Sequence, residues 1–312
     1  MASDKPAAAP GRQQNRVDRA AVLSFAGLAA CFMWGYWATF GVLSERWAQD
    51  PQYSHGWLVP FFAGVVLWMR RDHFPGTSSA ARMWGLALLI VGGGLRVAGA
   101  VLYYQSLDFL SLIPMVAGVT LLCFGWPVLR WSLPAILFLA FMLPLPFTVE
   151  NALREPLRGV GTVASTYVMQ TVGLPAYREG YTIVTDSGKI GVAEACSGLR
   201  MMTIFFALST AVAMLSQRVW WEKLLIVVSA VPIALIANIA RITVTGILHE
   251  TVSGEVADLV FHDLAGWLMM PFGLALLGGE LWLLSRLIIV EHEIPLAPMG
   301  LPGLGPRARA RV

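Results

Sequence analysis

The sequence predicts an all-α polytopic membrane protein of about eight transmembrane helices, with an interfacial helix and a small hairpin on the outer side between spans five and six. Of the 312 residues, 57% are hydrophobic and 13% are charged, against roughly 45–50% and about 25% in soluble domains. The apolar residues form runs of about 20, the length a helix needs to cross roughly 30 Å of hydrocarbon. A soluble core of this size does not need so much apolar surface.

The spans and their orientation follow from the apolar runs and from the charges between them. Spans are predicted near 21–43, 57–69, 84–103, 109–126, 131–147, 196–216, 222–247 and 264–288. An inside N-terminus places most of the 22 Lys and Arg residues in inside segments, as the positive-inside rule requires. Both termini are therefore predicted to be cytoplasmic. This topology explains the pI of 8.9 without a nucleic-acid partner.

The chain is interpreted as one domain with two tails. Residues 1–20 are polar and rich in Pro and Ala, which favours a disordered cytoplasmic tail, and 291–312 form a basic cytoplasmic tail. The transmembrane domain covers 21–290. Three cysteines do not indicate a disulfide framework, and no spacing indicates a metal or cofactor site.

The long segment 148–195 is predicted to lie outside. Its first part mixes apolar and charged positions, which is typical of an interfacial or re-entrant helix. Its second part alternates β-forming residues around Asp186-Ser187-Gly188 and predicts a small hairpin.

Cys196 is the first candidate for chemistry. It lies in EACSGLR, residues 194–200, at the predicted start of a membrane helix. The positive end of the helix dipole and the nearby Arg200 would both favour a thiolate. The alternative is a small residue in a helix-packing contact, because a lone cysteine is weak evidence.

Arg241 is the second candidate. It lies inside an apolar run, where an arginine costs roughly 2.5–3.5 kcal/mol unless it meets water or a polar partner. Asn238 precedes it on the same helical face, so the pair could donate hydrogen bonds to a carboxylate or an oxyanion. The alternative is that Arg241 extends to the outer interface or pairs with a buried acid.

Histidines supply the third candidate. His262 is placed where the outer loop enters the last span, and histidine transfers protons near neutral pH. His249 competes for this role, but Gly266 leaves room for close approach to His262. His55 either lines the site or forms a turn before an interfacial Trp. Arg96 pairs with an acid or a lipid headgroup that the sequence does not name.

A nucleophile, an anion stabiliser and a proton donor on one membrane face are typical of cysteine acyl transfer. The motifs EACSGLR, NIAR at 238–241, FHDLAGW at 261–267 and YSHG at 53–56, together with the eight-span plan, resemble the exosortase/archaeosortase family of membrane-embedded sorting enzymes. The resemblance implies that Cys196 is the nucleophile, Arg241 the essential arginine and His262 the third catalytic residue. Supporting or substrate-binding roles are expected for Arg200, Asn238, Glu194, His55 and His249.

The resemblance also implies a function. It predicts a cysteine-type peptidase or transpeptidase of the bacterial inner membrane, with its site facing the periplasm and without a cofactor. The expected substrates are exported proteins whose C-terminal signal combines a Pro-Glu-Pro-type motif, a transmembrane helix and a basic cluster. After cleavage they would pass to an unidentified acceptor, with a lipid or a glycan as candidates, in a role linked to exopolysaccharide and biofilm. Membrane lipids are the other expected partners.

One alternative is not an enzyme. A membrane component of exopolysaccharide assembly or export would use Arg241, Arg96 and the histidines to bind phosphate or sugar groups, and would leave Cys196 replaceable.

Overall fold

The protein is predominantly helical. The computed structural model describes residues 19–78, 81–186, 188–191, 198–216, 218–251 and 254–287. The helices are α1 (Arg19–Gly35), α2 (Trp37–Gln49), α3 (Leu58–Met69), α4 (Met83–Val101), α5 (Gln105–Phe124), α6 (Trp126–Phe138), α7 (Phe147–Thr171), α8 (Leu199–Leu215), α9 (Trp220–Val228), α10 (Ala230–Thr251) and α11 (Gly254–Leu287). Short 3₁₀ helices cover Ser54–Trp57, Arg71–His73 and Leu139–Met142, and one sheet contains β1 (Ala176–Glu179), β2 (Thr182–Thr185) and β3 (Gly188–Gly191).

Within the described residues, three helices are long and apolar enough to cross a membrane. They are Met83–Val101, Gln105–Phe124 and Trp220–Leu248. Two bent pairs of helices raise the number to five if each pair is one span, namely Ala21–Gly35 with Trp37–Gln49 and Trp126–Met142 with Phe147–Thr171. Two apolar helices, Ser54–Met69 and Leu199–Leu215, are shorter. A helical membrane protein is therefore supported, and the count of eight spans stays a prediction.

The first predicted span, 21–43, is not one continuous helix. The chain breaks at Tyr36, where α1 and α2 meet at 64°. The Tyr36 side chain is 2% exposed, and its hydroxyl forms a 2.7 Å hydrogen bond with the Ser111 hydroxyl. Arg96 lies over the Tyr36 ring at 4.0 Å and donates to the carbonyl oxygen of Gly35. The break therefore has polar partners on α4 and α5, which the interruption of a membrane helix needs.

Arg96 also has the acidic partner that the sequence left unnamed. Its guanidinium lies 3.6 Å from the Asp108 carboxylate in α5. The Thr39 hydroxyl of α2 donates to the same carboxylate at 2.7 Å. Asp108 therefore ties the bent first span to α4 and α5.

The helix that contains the last predicted span begins before it, and the bounds of the span stay a prediction. Helix α11 starts at Gly254 rather than near 264, because polar residues such as Glu255 and Asp258 continue the helix beyond the apolar run. His262 therefore lies within the helix, not at its entrance. Its side chain is outside the described part of the structure.

The segment after α6 forms the predicted helix. Helix α7 is bent by 76° from the α6 segment and packs against α10. Its buried residues Gly161, Thr162, Ser165, Thr166 and Met169 are mostly small, which allows close approach of two helices. The Ser165 hydroxyl donates to the Ile239 carbonyl oxygen at 3.3 Å.

The predicted hairpin is a three-stranded antiparallel sheet in the order β1-β2-β3. The turn after Thr185 matches the prediction, since Thr185 pairs with Gly188. The additional strand, β1, has the sequence AYRE and exposes three of its four residues, so hydrophobic alternation did not indicate it. Gly180, at φ +66°, forms the turn between β1 and β2.

We expect the Arg96–Asp108 pair to stabilise the bent first span. Asp108→Leu removes the carboxylate that both Arg96 and Thr39 use, and should cost about 1–3 kcal/mol of unfolding free energy. Thermal unfolding in nanodiscs measures the change.

Three further variants act as controls for the pair. Thr39→Val should cost less, because it removes one hydrogen bond. The double variant Arg96→Leu/Asp108→Leu should lose less stability than the sum of the losses in Arg96→Leu and Asp108→Leu, because each single variant already removes the interaction between the two groups. Additive losses would contradict the role of the pair.

Candidate active site

The start of α8 contacts α10 through Gly198 and Asn238. Gly198 caps α8 with φ +83°, a conformation that other residues rarely adopt. A Cβ at this position would lie 3.1 Å from the Asn238 amide nitrogen. Asn238 is 1% exposed. The backbone conformation and the close approach both favour a glycine, and the contact joins the EACSGLR motif to the NIAR motif.

A second glycine contacts the same amide. A Cβ at Gly161 of α7 would lie 3.3 Å from the Asn238 amide nitrogen and 3.4 Å from the Ile242 Cδ1 atom. Asn238 therefore lies between the backbone of α7 and the start of α8. Three elements that are distant in the chain meet at this one side chain.

Two arginines follow this contact. Arg200 is the second residue of α8, and Arg241 lies one turn after Asn238 on α10. Both are half-buried, and their positive charges are close enough to repel each other, whereas the Asp50 carboxylate attracts Arg200. Among the described residues, neither guanidinium has a hydrogen-bonded or ion-paired partner. The alternative interpretation of Arg241 needs a buried acid as its partner, and the described part of the chain contains no acid paired with Arg241.

Several predicted residues fall outside the description. Cys196 and Glu194 are among residues 192–197, which the structure does not describe, so the lowered pKa of Cys196 stays a prediction. The side chains of His249 and His262 also lie outside the described part of the structure, although the helices that carry them are described. Helices α10 and α11 pack against each other, so the helix carrying His262 adjoins the helix carrying Arg241.

His55 is held by the backbone of a neighbouring segment. Its Nε2 lies 3.0 Å from the Phe141 carbonyl oxygen. Burial lowers the pKa of His55, although the hydrogen bond with the Phe141 backbone acts in the opposite direction. We infer a neutral imidazole that donates to Phe141 and ties the 3₁₀ helix Ser54–Trp57 to Leu139–Met142. This favours the structural interpretation of His55 over a role in lining the site.

A polar cluster between the turn after α2 and the start of α7 was not predicted. The Gln52 amide donates to Glu150 at 3.1 Å, and Glu150 forms an ion pair with Arg154. The hydroxyl of buried Tyr53 accepts the Leu145 amide N–H at 3.2 Å, and burial, followed by the Glu150 charge, raises the pKa of Tyr53. These residues come from two parts of the chain that are far apart in sequence, and the only signal was that Tyr53 is the first residue of the YSHG motif.

The family model described as transmembrane exosortase (Exosortase_EpsH) matches residues 47–279. The chain belongs to this family. The matched range includes the contact between Gly198 and Asn238 and both arginines, and the family resemblance seen in the motifs is confirmed. Membership supports a membrane transpeptidase of the sorting class. No curated protein and no solved structure was found to match the chain.

Gly198→Ala should disturb this contact. The new methyl group would meet Asn238, and φ +83° is unfavourable for alanine, so we expect a loss of about 1–3 kcal/mol in unfolding free energy. Gly161→Ala should cost less, because its φ is helical and the contacts are longer. Gly93→Ala in α4 is the matched control, since nothing lies within 4 Å of the added methyl. Equal thermal stability of Gly198→Ala and Gly93→Ala would contradict the contact.

The stability of the protein should depend on pH through His55. Its folded pKa is below the unfolded value of about 6.5, so the unfolded chain binds the proton more readily. Stability is therefore complete above the unfolded pKa and is lost as pH falls towards the folded pKa. Thermal unfolding between pH 7 and pH 5 should show a smaller decrease for His55→Gln than for wild type. His73→Gln, at an exposed histidine, should behave like wild type. If His55→Gln loses as much stability as wild type when the pH falls, groups other than His55 cause the decrease.

Proposed function

We propose that this chain is a cysteine-type transpeptidase of the bacterial inner membrane that cleaves the C-terminal sorting signal of exported proteins at the periplasmic face. The observation that carries the proposal is the contact between Gly198 and Asn238. It joins the segment that follows Cys196 to the helix turn that carries Arg241, in a chain of the exosortase family. A nucleophile and an anion stabiliser would then act on the same carbonyl.

The proposed substrate is held by its own membrane helix. Its signal would consist of a Pro-Glu-Pro-type motif, a transmembrane helix and a basic cluster. By the positive-inside rule, the basic cluster stays at the cytoplasmic side and the motif lies at the outer face. The predicted topology of the chain places the start of α8 at that same face.

The reaction would proceed through a thioester. The Cys196 thiolate attacks the scissile carbonyl carbon and forms a C–S bond, and Arg241 donates hydrogen bonds to the resulting oxyanion. The C–N bond then breaks as His262 gives its proton to the leaving amine. An acceptor nucleophile attacks the thioester, its proton passes to His262, and the C–S bond breaks to restore the thiolate. Water as the acceptor would give hydrolysis.

The remaining candidates would act around this centre. Asn238 positions the segment after Cys196 through its contact with Gly198. Arg200 and the start of α8 favour the thiolate electrostatically. The acceptor is a lipid or a glycan in this proposal, in keeping with the link to exopolysaccharide. The non-enzymatic alternative is weakened, because Arg96, one of its phosphate-binding residues, already pairs with Asp108.

A co-expressed reporter with such a tail tests the proposal. Cys196→Ala, Arg241→Ala and His262→Ala should each reduce cleavage by at least about 100-fold, as loss of a nucleophile, an oxyanion donor or a general acid does. A gel shift of the reporter measures cleavage, and membrane fractionation confirms that each variant inserts.

His73→Ala, at an exposed histidine outside the candidate site, is the control and should cleave the reporter at the wild-type rate. His249→Ala should reduce cleavage much less than His262→Ala, because only a supporting role is expected for His249. Loss of cleavage in His249→Ala with retention in His262→Ala would exchange the roles of the two histidines. If Cys196→Ala still cleaves the reporter, Cys196 is not the nucleophile. The non-enzymatic alternative would then be favoured, and an unrelated protease would account for the cleavage.

A further inference from the structure

Arg200, at the start of α8, and Arg241, on α10, carry like charges close to the same helix contact. Gly198 and Asn238 are in contact, so Arg200 and Arg241 extend from backbone positions only two and three residues beyond that contact. Both side chains are half-buried, where charges are screened less than in bulk water. In the described residues neither has a direct acidic or hydrogen-bonding partner. Two adjacent positive charges in such a place favour a bound anion.

The Asp50 carboxylate is not the anion that these two arginines bind. Its carboxylate attracts Arg200 from a distance, but the two groups form no ion pair. One Asp50 oxygen instead accepts the backbone N–H of Gln52 at 2.9 Å, within the turn after α2. Asp50 therefore compensates part of the charge and leaves the donors of Arg200 available.

Other arginines in the chain show what a structural pair looks like. Arg218 contacts Glu222 at 2.8 Å, and Arg96 contacts Asp108 at 3.6 Å. Each of these arginines has a carboxylate on its own or an adjacent helix. Arg200 lacks one, which is consistent with a partner supplied by another molecule.

We propose that Arg200 binds the glutamate carboxylate of the Pro-Glu-Pro-type motif, with the charge of Arg241 contributing, and is the specificity-determining residue of the site. This inference rests on the proposed function. A guanidinium matches a carboxylate through two parallel N–H donors. Arg241 keeps its own role at the scissile carbonyl.

The motif suits this subsite physically. Proline fixes its own φ, and the residue before a proline is restricted to extended conformations. A glutamate between two prolines is therefore held in a narrow range of conformations before it binds, which reduces the entropy lost on binding. A motif next to the scissile bond would place the carboxylate close to Cys196, where Arg200 lies in the sequence.

A double-mutant cycle between enzyme and substrate tests the inference. Wild type and Arg200→Gln are each measured on the reporter and on a reporter whose motif glutamate is replaced by glutamine. We expect wild type to prefer the glutamate reporter at least about tenfold in kcat/KM, mainly through KM. The loss caused by Arg200→Gln should be at least about tenfold smaller on the glutamine reporter than on the glutamate reporter.

Arg178→Gln is the matched control. Arg178 lies exposed on β1, so its loss should leave the glutamate preference unchanged. Equal losses from Arg200→Gln on both reporters would overturn the inference, because Arg200 would then act only on the thiolate or on the fold and not on the glutamate. A glutamate preference retained in Arg200→Gln would overturn it as well.

A binding measurement separates this inference from the proposed function. Cys196→Ala protein in nanodiscs is titrated with labelled tail peptides carrying Pro-Glu-Pro or Pro-Gln-Pro. At least about tenfold tighter binding of the glutamate peptide, abolished by adding Arg200→Gln, supports the subsite even if wild type cuts no reporter. Equal binding of both peptides overturns the subsite even if wild type cuts the reporter through Cys196.

Discussion

The side-chain amide of Asn238 contacts two glycine backbones, and the arrangement of the candidate site depends on that contact. Gly198 and Gly161 have no side chain to keep α8 and α7 away from α10. Between membrane helices there is little hydrophobic driving force, so small residues that allow close approach and polar groups that bridge helices stabilise the packing. The same contact lies two residues from Cys196 in sequence and one helical turn from Arg241. A single packing interaction therefore connects the fold to the proposed chemistry.

Charge distribution separates structural groups from candidate functional groups. A charge in a membrane protein needs a partner, water or a function. Arg96 and Arg218 have carboxylate partners, and Glu222 is 2% exposed in the pair with Arg218. Arg200 and Arg241 have no such partner in the described part of the chain, and they repel each other. The like-charge pair makes the region around the start of α8 one of positive potential, which suits a thiolate, an oxyanion or a substrate carboxylate.

Hydropathy located most helices but not their interruptions. The predicted third, fourth and seventh spans agree with α4, α5 and the α9–α10 stretch within a few residues. The break at Tyr36 was missed because its stabilising partners, Ser111 and Arg96, lie on other helices. The early start of α11 was missed because hydropathy reports membrane depth and not helix length. Strand β1 was missed because its exposed side chains follow no alternating pattern.

The sequence by itself determined that the chain is a helical membrane protein and which motifs carry its family membership, because apolar run length and short motifs are local properties. It also named Cys196, Arg241 and His262 as candidates, and their roles stay predictions. Only the tertiary structure decided that Gly198 and Asn238 touch, that Arg96 pairs with Asp108 and that the charges of Arg200 and Arg241 are close enough to repel each other. These pairings join residues on different helices. Many partners are possible from the composition alone, and the geometry of helix packing decides which of them meet, because no local sequence pattern specifies it.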